Sequence, residues 1–190
     1  GDMRIRIDGQ LPPGTTAKDL ILMVIAHIGA QGARGYVVEF CGAAIAALSV
    51  EARFTLCNMA VEAGARGALI APDQTTIDYV LGHCPDLAGN PEWRQQALLQ
   101  WQDLCSDSDA TFDVEHRFDA SSLAPTVTWG TSPDQAVPVT GRIPSGSDSQ
   151  ETAQSTARAL QYTQLTGGMP VEGIPIDHVF IGSCTNGRIE

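Results

Sequence analysis

Apolar and polar positions along the chain switch repeatedly between a period of two and a period near 3.6. Met3, Ile5 and Ile7 alternate with Arg4, Arg6 and Asp8, and Gly9 closes the run, the pattern of a half-buried strand. After the turn Leu11-Pro12-Pro13-Gly14, Thr15 or Thr16 is placed to cap a helix reaching about Ile28, with Leu20, Val24, Ile25 and Ile28 on one face. Glycines break the pattern between Gly29 and Gly35, and Tyr36-Val37-Val38-Glu39-Phe40 follows as a short buried strand. Residues 43–64 read as helix in two pieces, the second capped by Ser49 and ending at Gly64. Residues 67–71 read as another strand, stopped by Pro72. Asp73 or Thr75 caps a helix over 76–81, and Pro91 opens one that runs to about Leu104. Trp93 and Trp101 share one face of that helix and are expected in the core. Residues 111–118 alternate as a strand with His116 turned outward, and 125–129 form a shorter one.

Strand alternating with helix predicts an α/β fold, a three-layer α/β/α arrangement around a largely parallel sheet, over residues 1–136. Residues 132–152 are rich in Pro, Gly, Ser, Asp and Thr and read as a linker. Beyond them come a helix at about 151–164, a Gly-Gly-Met-Pro turn and an apolar strand, Ile176 to Ile181. A strand buried on both faces needs covering helices, and none follow. The expectation is therefore a piece of a longer protein. Residues 137–190 would hold the linker, then the first strand and loop of a further domain.

Composition changes the picture mainly by exclusion. The chain of 190 residues carries 22 acidic and 11 basic side chains, a formal net charge of −11, which suits a phosphate backbone poorly and disfavours nucleic acid as a partner. There is no apolar run of about eighteen residues, so no membrane helix is expected. No charged-then-apolar leader is visible, which fits a cytoplasmic protein. The five cysteines, Cys41, Cys57, Cys84, Cys105 and Cys184, are odd in number and include no Cys-x-x-Cys. Reduced thiols fit this pattern better than a disulfide scaffold or a zinc ribbon.

Two places carry chemistry. The loop Gly182-Ser183-Cys184-Thr185-Asn186-Gly187 would follow the carboxyl end of a parallel strand, where open α/β sheets hold ligands. A helix starting nearby would lower the pKa of Cys184, making it a metal ligand or a nucleophile, or it is an inert thiol. A nucleophile elbow wants Gly-x-Cys-x-Gly, and the second glycine here comes one residue late, which speaks against a cysteine hydrolase. The other place is Thr55-Leu56-Cys57-Asn58-Met59 with Glu62 and Gly64-Ala65. Asn58 and Glu62 are four apart and share a helical face among apolar neighbours. Glu62 is either a functional carboxylate or an ordinary surface group, open to solvent or paired with Arg66.

These two segments resemble the aconitase superfamily, the first matching its signature for an iron–sulfur ligand and the second a conserved segment of its second domain. Gly35 to Phe40, Ile70-Ala71-Pro72-Asp73-Gln74-Thr75-Thr76 and Thr128-Trp129-Gly130-Thr131 resemble one branch of it, the large subunits of isopropylmalate dehydratases. That branch usually shows Glu-Gly-Arg where this chain has Glu51-Ala52-Arg53, so a positive φ there would strain Ala52. The resemblance implies an aconitase-like second domain followed by the start of the third. It also implies a hydro-lyase that isomerises 2-isopropylmalate and 3-isopropylmalate by dehydration and rehydration in leucine biosynthesis. Its cofactor would be a [4Fe-4S] cluster whose open iron is a Lewis acid. By the same resemblance Cys184 is the first cluster ligand, and Asn58 and Glu62 are catalytic residues at the open iron position. Cys41 and Cys57 match the pattern but not as ligands. The other two cysteine ligands, the first-domain residues and the general base would lie outside the chain, the last on a separate small subunit. A small 2-hydroxy di- or tricarboxylic acid is the implied substrate, and the chain alone is expected to be inactive. Rival readings are a homoaconitase-type or citrate-type hydratase and a non-catalytic RNA-binding or assembly relative.

Overall fold

The structure is a computed structural model and describes residues 1–146, 150–183, 185 and 187. Strand β1 (Asp2–Asp8) leads through helix α1 (Ala17–Ile28) to β2 (Val37–Cys41). Helices α2 (Ala43–Ala46) and α3 (Val50–Met59) and a 3-10 turn (Ala60–Ala63) then lead to β3 (Gly67–Leu69). Helices α4 (Gln74–His83), α5 (Pro85–Gly89) and α6 (Pro91–Gln102) precede β4 (Val114–Asp119). The strands pair in the order β3-β2-β1-β4, all parallel, with Ile5 opposite Phe40 on one side and His116 on the other. The expected α/β class and parallel sheet are therefore present.

Local chemistry explains where the helices begin. Thr16 caps α1 in a capping box, its backbone N–H donating to Asp19 at 2.7 Å and its hydroxyl accepting from the Lys18 N–H. The other Asp19 oxygen accepts from the Thr126 N–H at 2.7 Å, so one carboxylate fixes both the helix and a later strand. Ser49 caps α3 and Asp73 caps α4, as their positions suggest. Gly42, at φ +108°, lies so close to the Ile7 carbonyl that a Cβ there would collide with it.

The core lies on one face of the sheet. Met3, Ile5, Ile7, Val38 and Phe40 are packed beneath Leu20, Ile21, Val24 and Ile25 of α1 and Leu56 and Met59 of α3. The alternate residues of the same strands, Arg4, Arg6, Asp8, Glu39 and Cys41, belong to the opposite face. There Arg4 pairs with Glu115 and lies 4.4 Å over the Phe112 ring, and the Ser106 hydroxyl donates to Glu39. The segment between α6 and β4 thus crosses the charged face of the sheet.

Several elements differ from expectation. His116 is half-buried, because Val114 and Phe118 set the phase of β4 and His116 falls in step with them, its ring 6.3 Å from that of Phe118. Helix α5 splits the stretch read as loop after residue 81. Trp93 is 58% exposed, and α4, α5 and α6 contain no buried residue. Part of the segment read as linker forms β6 (Ala136–Pro138), paired antiparallel with β5 (Thr126–Thr128). Helix α7 (Gln150–Thr163) closes a second small core of Trp129, Ile143 and Ala159. Residues 176–181 form no strand; Ile181 is 93% exposed, with no neighbouring strand among the described residues to pair with. No described helix is long and apolar enough to cross a membrane.

Candidate functional site

Asn58 and Glu62 are brought to one open face, where α3 runs into the 3-10 turn. The helix buries Arg53, Thr55, Leu56 and Met59 and leaves Phe54, Asn58, Val61 and Glu62 exposed, a stripe at helical spacing. Among the described residues no ion pair joins Glu62 to Arg66, and its carboxylate stands in the open rather than among apolar groups. The turn ends at Gly64, in the left-handed region at φ +86°, whose N–H reaches the Ala60 and Val61 carbonyls. The Ala63 carbonyl accepts from the Ala33 N–H at 2.9 Å, and the Arg66 N–H donates to the Tyr36 carbonyl at 2.9 Å. These bonds tie the site to the amino ends of β2 and β3. The run Glu62-Ala63-Gly64-Ala65 is therefore a helix terminus, and its glycine is required by the backbone.

The other end of α3 is held by a residue that sequence reasoning passed over. The Arg53 side chain is 5% exposed and donates to both oxygens of Asp73 (2.6 and 2.7 Å), to the Thr76 hydroxyl, and to the Ala46 and Leu48 carbonyls. Asp73 meanwhile accepts from the Thr76 N–H as the cap of α4. One guanidinium thus joins the end of α2, the start of α3 and the start of α4. Arg53, before all the other causes, holds the Asp73 carboxyl below its usual range. The cap was legible at Asp73, but a partner twenty residues away leaves no periodic signal. Ala52 lies inside α3, and among the described residues only Gln164 has a positive φ apart from glycine, so Ala52 carries no such strain.

Cys57 and Cys41 are half-buried, and burial pushes both thiols up; Glu39 adds to the effect at Cys41 while Arg6 opposes it. Cys84 and Cys105 are exposed. Among the described residues no three His, Cys, Asp or Glu side chains gather to hold a metal ion. Cys184, the sequence's candidate ligand, lies outside the described residues. The described side chains therefore do not by themselves fit an iron–sulfur cluster. A cleft of about 590 Å³ between α1, β4 and β6 contains neither Asn58 nor Glu62.

A family model described as the aconitase family (aconitate hydratase) matches residues 1–190. The chain belongs to the aconitase family. It is also 52% identical over 190 residues to proteins named 3-isopropylmalate dehydratase large subunit 2 from Salmonella choleraesuis (strain SC-B67) and Salmonella typhimurium (strain LT2). The match takes in 99% of this chain and 40% of each relative, so the chain spans about two fifths of the length of these curated relatives. In the motif Ile70 to Thr76, Asp73 and Thr76 both bond to Arg53.

Proposed function

We propose that this chain is the central part of the large subunit of a [4Fe-4S] hydro-lyase that interconverts 2-isopropylmalate and 3-isopropylmalate, a step of leucine biosynthesis in the cytoplasm. The observation that carries this reading is the Asn58–Glu62 pair. It combines an amide and a carboxylate one helical turn apart, on an uncovered face, in a family whose chemistry removes and restores water.

The cluster, when bound, supplies the Lewis acid that makes hydroxide a better leaving group. Cys184 would be the thiolate that this chain contributes to it, with the remaining ligands drawn from the rest of the large subunit. Glu62 is an acceptor and donor for the departing and returning water's proton, and Asn58 orients the same polar group from one turn away. Both need a covering surface to exclude water, which the chain's own described residues leave open. The relatives' names, each a large subunit, support a small subunit as the partner that completes the pocket around a small 2-hydroxy acid. Residues 1–136 are read as the family's second domain, and 137–190 as the passage into the next, with Ile176 to Ile181 pairing only there.

The test uses the full-length large subunit expressed with its small subunit. Glu62→Gln keeps the shape and removes the titrating proton, so the iron–sulfur absorbance is expected to persist while turnover falls by about 10²-fold or more. Cys184→Ser is expected to lose both. Wild-type turnover in Glu62→Gln, or an intact cluster in Cys184→Ser, overturns the assignment.

A further inference from the structure

We propose that Cys41 and Cys105 form a dithiol modification site, which a hydroperoxide closes reversibly to a disulfide. Both residues line one cleft of about 220 Å³ at the carboxyl ends of β2 and β3, together with Gly42, Arg53, Pro72 and Asp73. They reach it from distant parts of the sequence. Cys41 ends β2 on the charged face of the sheet, and Cys105 lies in the irregular segment that crosses that face after α6.

A neighbouring contact fixes how the two approach. The Ser106 hydroxyl donates to the Glu39 carboxylate, pinning residue 106 against β2. Cys105 is one residue from that anchor, about 3.8 Å along the chain. Cys41 is two residues beyond Glu39 on the same face of the strand, about 6.6 Å away. The two cysteines therefore lie near a single hydrogen bond and line the same cleft. The segment 103–113 has no helix or strand to resist adjustment toward the Cα separation of about 4.4–6.8 Å that a disulfide requires.

The two thiols differ in a way that orders the chemistry. Cys105 is exposed and meets the peroxide first, whereas Cys41 is half-buried with its thiol pushed up by burial. The Cys105 sulfur attacks a peroxide oxygen, the S–O bond forms as the O–O bond breaks, and one water leaves, giving the sulfenic acid. The Cys41 sulfur then attacks the Cys105 sulfur, the S–S bond forms as the S–O bond breaks, and a second water carries away the Cys41 proton. Two thiols are oxidised by two electrons, and one hydrogen peroxide is reduced to two waters. The bond would clamp the 103–113 segment over the strand ends beside the Arg53–Asp73 pair.

The reduced chain is treated with equimolar hydrogen peroxide, alkylated and digested without reductant. The expected product is a peptide pair joined through Cys41 and Cys105, two hydrogens lighter than the reduced pair and separated again by dithiothreitol. Cys105→Ser is expected to leave Cys41 alkylatable, and Cys41→Ser to stop Cys105 at the sulfenic acid, which proceeds to the sulfinic acid only when a second equivalent of peroxide is added. Cys105 joined to any other thiol, or a sulfinic Cys105 beside a reduced Cys41 in the unsubstituted chain, overturns the proposal. None of these readouts depends on the activity proposed above.

Discussion

At Arg53 a full positive charge is almost entirely removed from solvent, and five hydrogen bonds to Asp73, Thr76, Ala46 and Leu48 compensate it. Asp73→Asn removes the only carboxylate in that set. The loss should be about 3 kcal/mol, at the low end for a buried pair because the Asp73 side chain is 39% exposed. Chemical denaturation of the two chains at neutral pH measures it. The pH dependence has a definite sign. Asp73 is more acidic folded than unfolded, so its contribution is fully present above its ordinary value of 3.8. It fades as the pH falls through the lower folded value. Asp73→Asn should therefore flatten this acid-side loss, and a denaturation midpoint that falls as steeply below pH 4 as in the unsubstituted chain would count against the pair. Gly64 supplies the second residue-scale expectation. At φ +86° an alanine costs about 1–2 kcal/mol, and it strains the turn that carries Glu62. In the full-length enzyme Gly64→Ala should lower turnover more than Gly67→Ala, since Gly67 lies in a strand at an ordinary φ with open space at its Cβ position.

At the scale of elements, what could be read from the sequence was what depends on near neighbours in the chain. The caps at Thr16, Ser49 and Asp73, the alternation of β1 and the helical face of α1 are all set by residues within four positions of one another. The pairing of Asn58 with Glu62 was legible for the same reason, and the structure adds that their face is open. What was missed depends on distant partners. His116 follows Val114 and Phe118, so its outward reading came from a wrong phase rather than a wrong element. Trp93 and Trp101 lie eight apart on one side of α6, but that spacing does not say whether the side has anything to cover it. This difference is measurable, since the three tryptophans sit in different surroundings. Trp93 is 58% exposed and Trp129 only 6%, so acrylamide should quench Trp93 strongly and Trp129 weakly. Trp93→Phe is expected to remove the most quenchable, longest-wavelength part of the emission. If the unsubstituted chain shows uniformly blue, protected fluorescence, α6 is covered in solution.

At the scale of the whole molecule, the uncovered parts coincide with the parts the chemistry would need. The stripe Phe54, Asn58, Val61 and Glu62, the Trp93 side of α6 and the segment Ile176 to Ile181 are all exposed in a chain that spans two fifths of its relatives' length. An iron–sulfur cluster needs three thiolates converging on one cavity, and among the described residues no three potential ligands do so. Of the four cysteines described, Cys41 and Cys105 share a cleft, one thiol short of what a cluster needs, and the two half-buried ones have thiols made harder to ionise. The chain by itself is therefore expected to remain colourless after anaerobic treatment with iron and sulfide, with no absorbance near 400 nm and no hydration of the unsaturated acid. The full-length large subunit should take up the cluster under the same treatment, with turnover appearing only on addition of the small subunit. Adding the small subunit to the short chain separates the alternatives. If the pair turns over substrate, the missing ligands are supplied in trans and the division of labour proposed for Cys184 and Glu62 fails. If only the full-length subunit responds, cluster assembly and closure of the Asn58–Glu62 face are two steps, the first requiring the rest of the polypeptide and the second the partner.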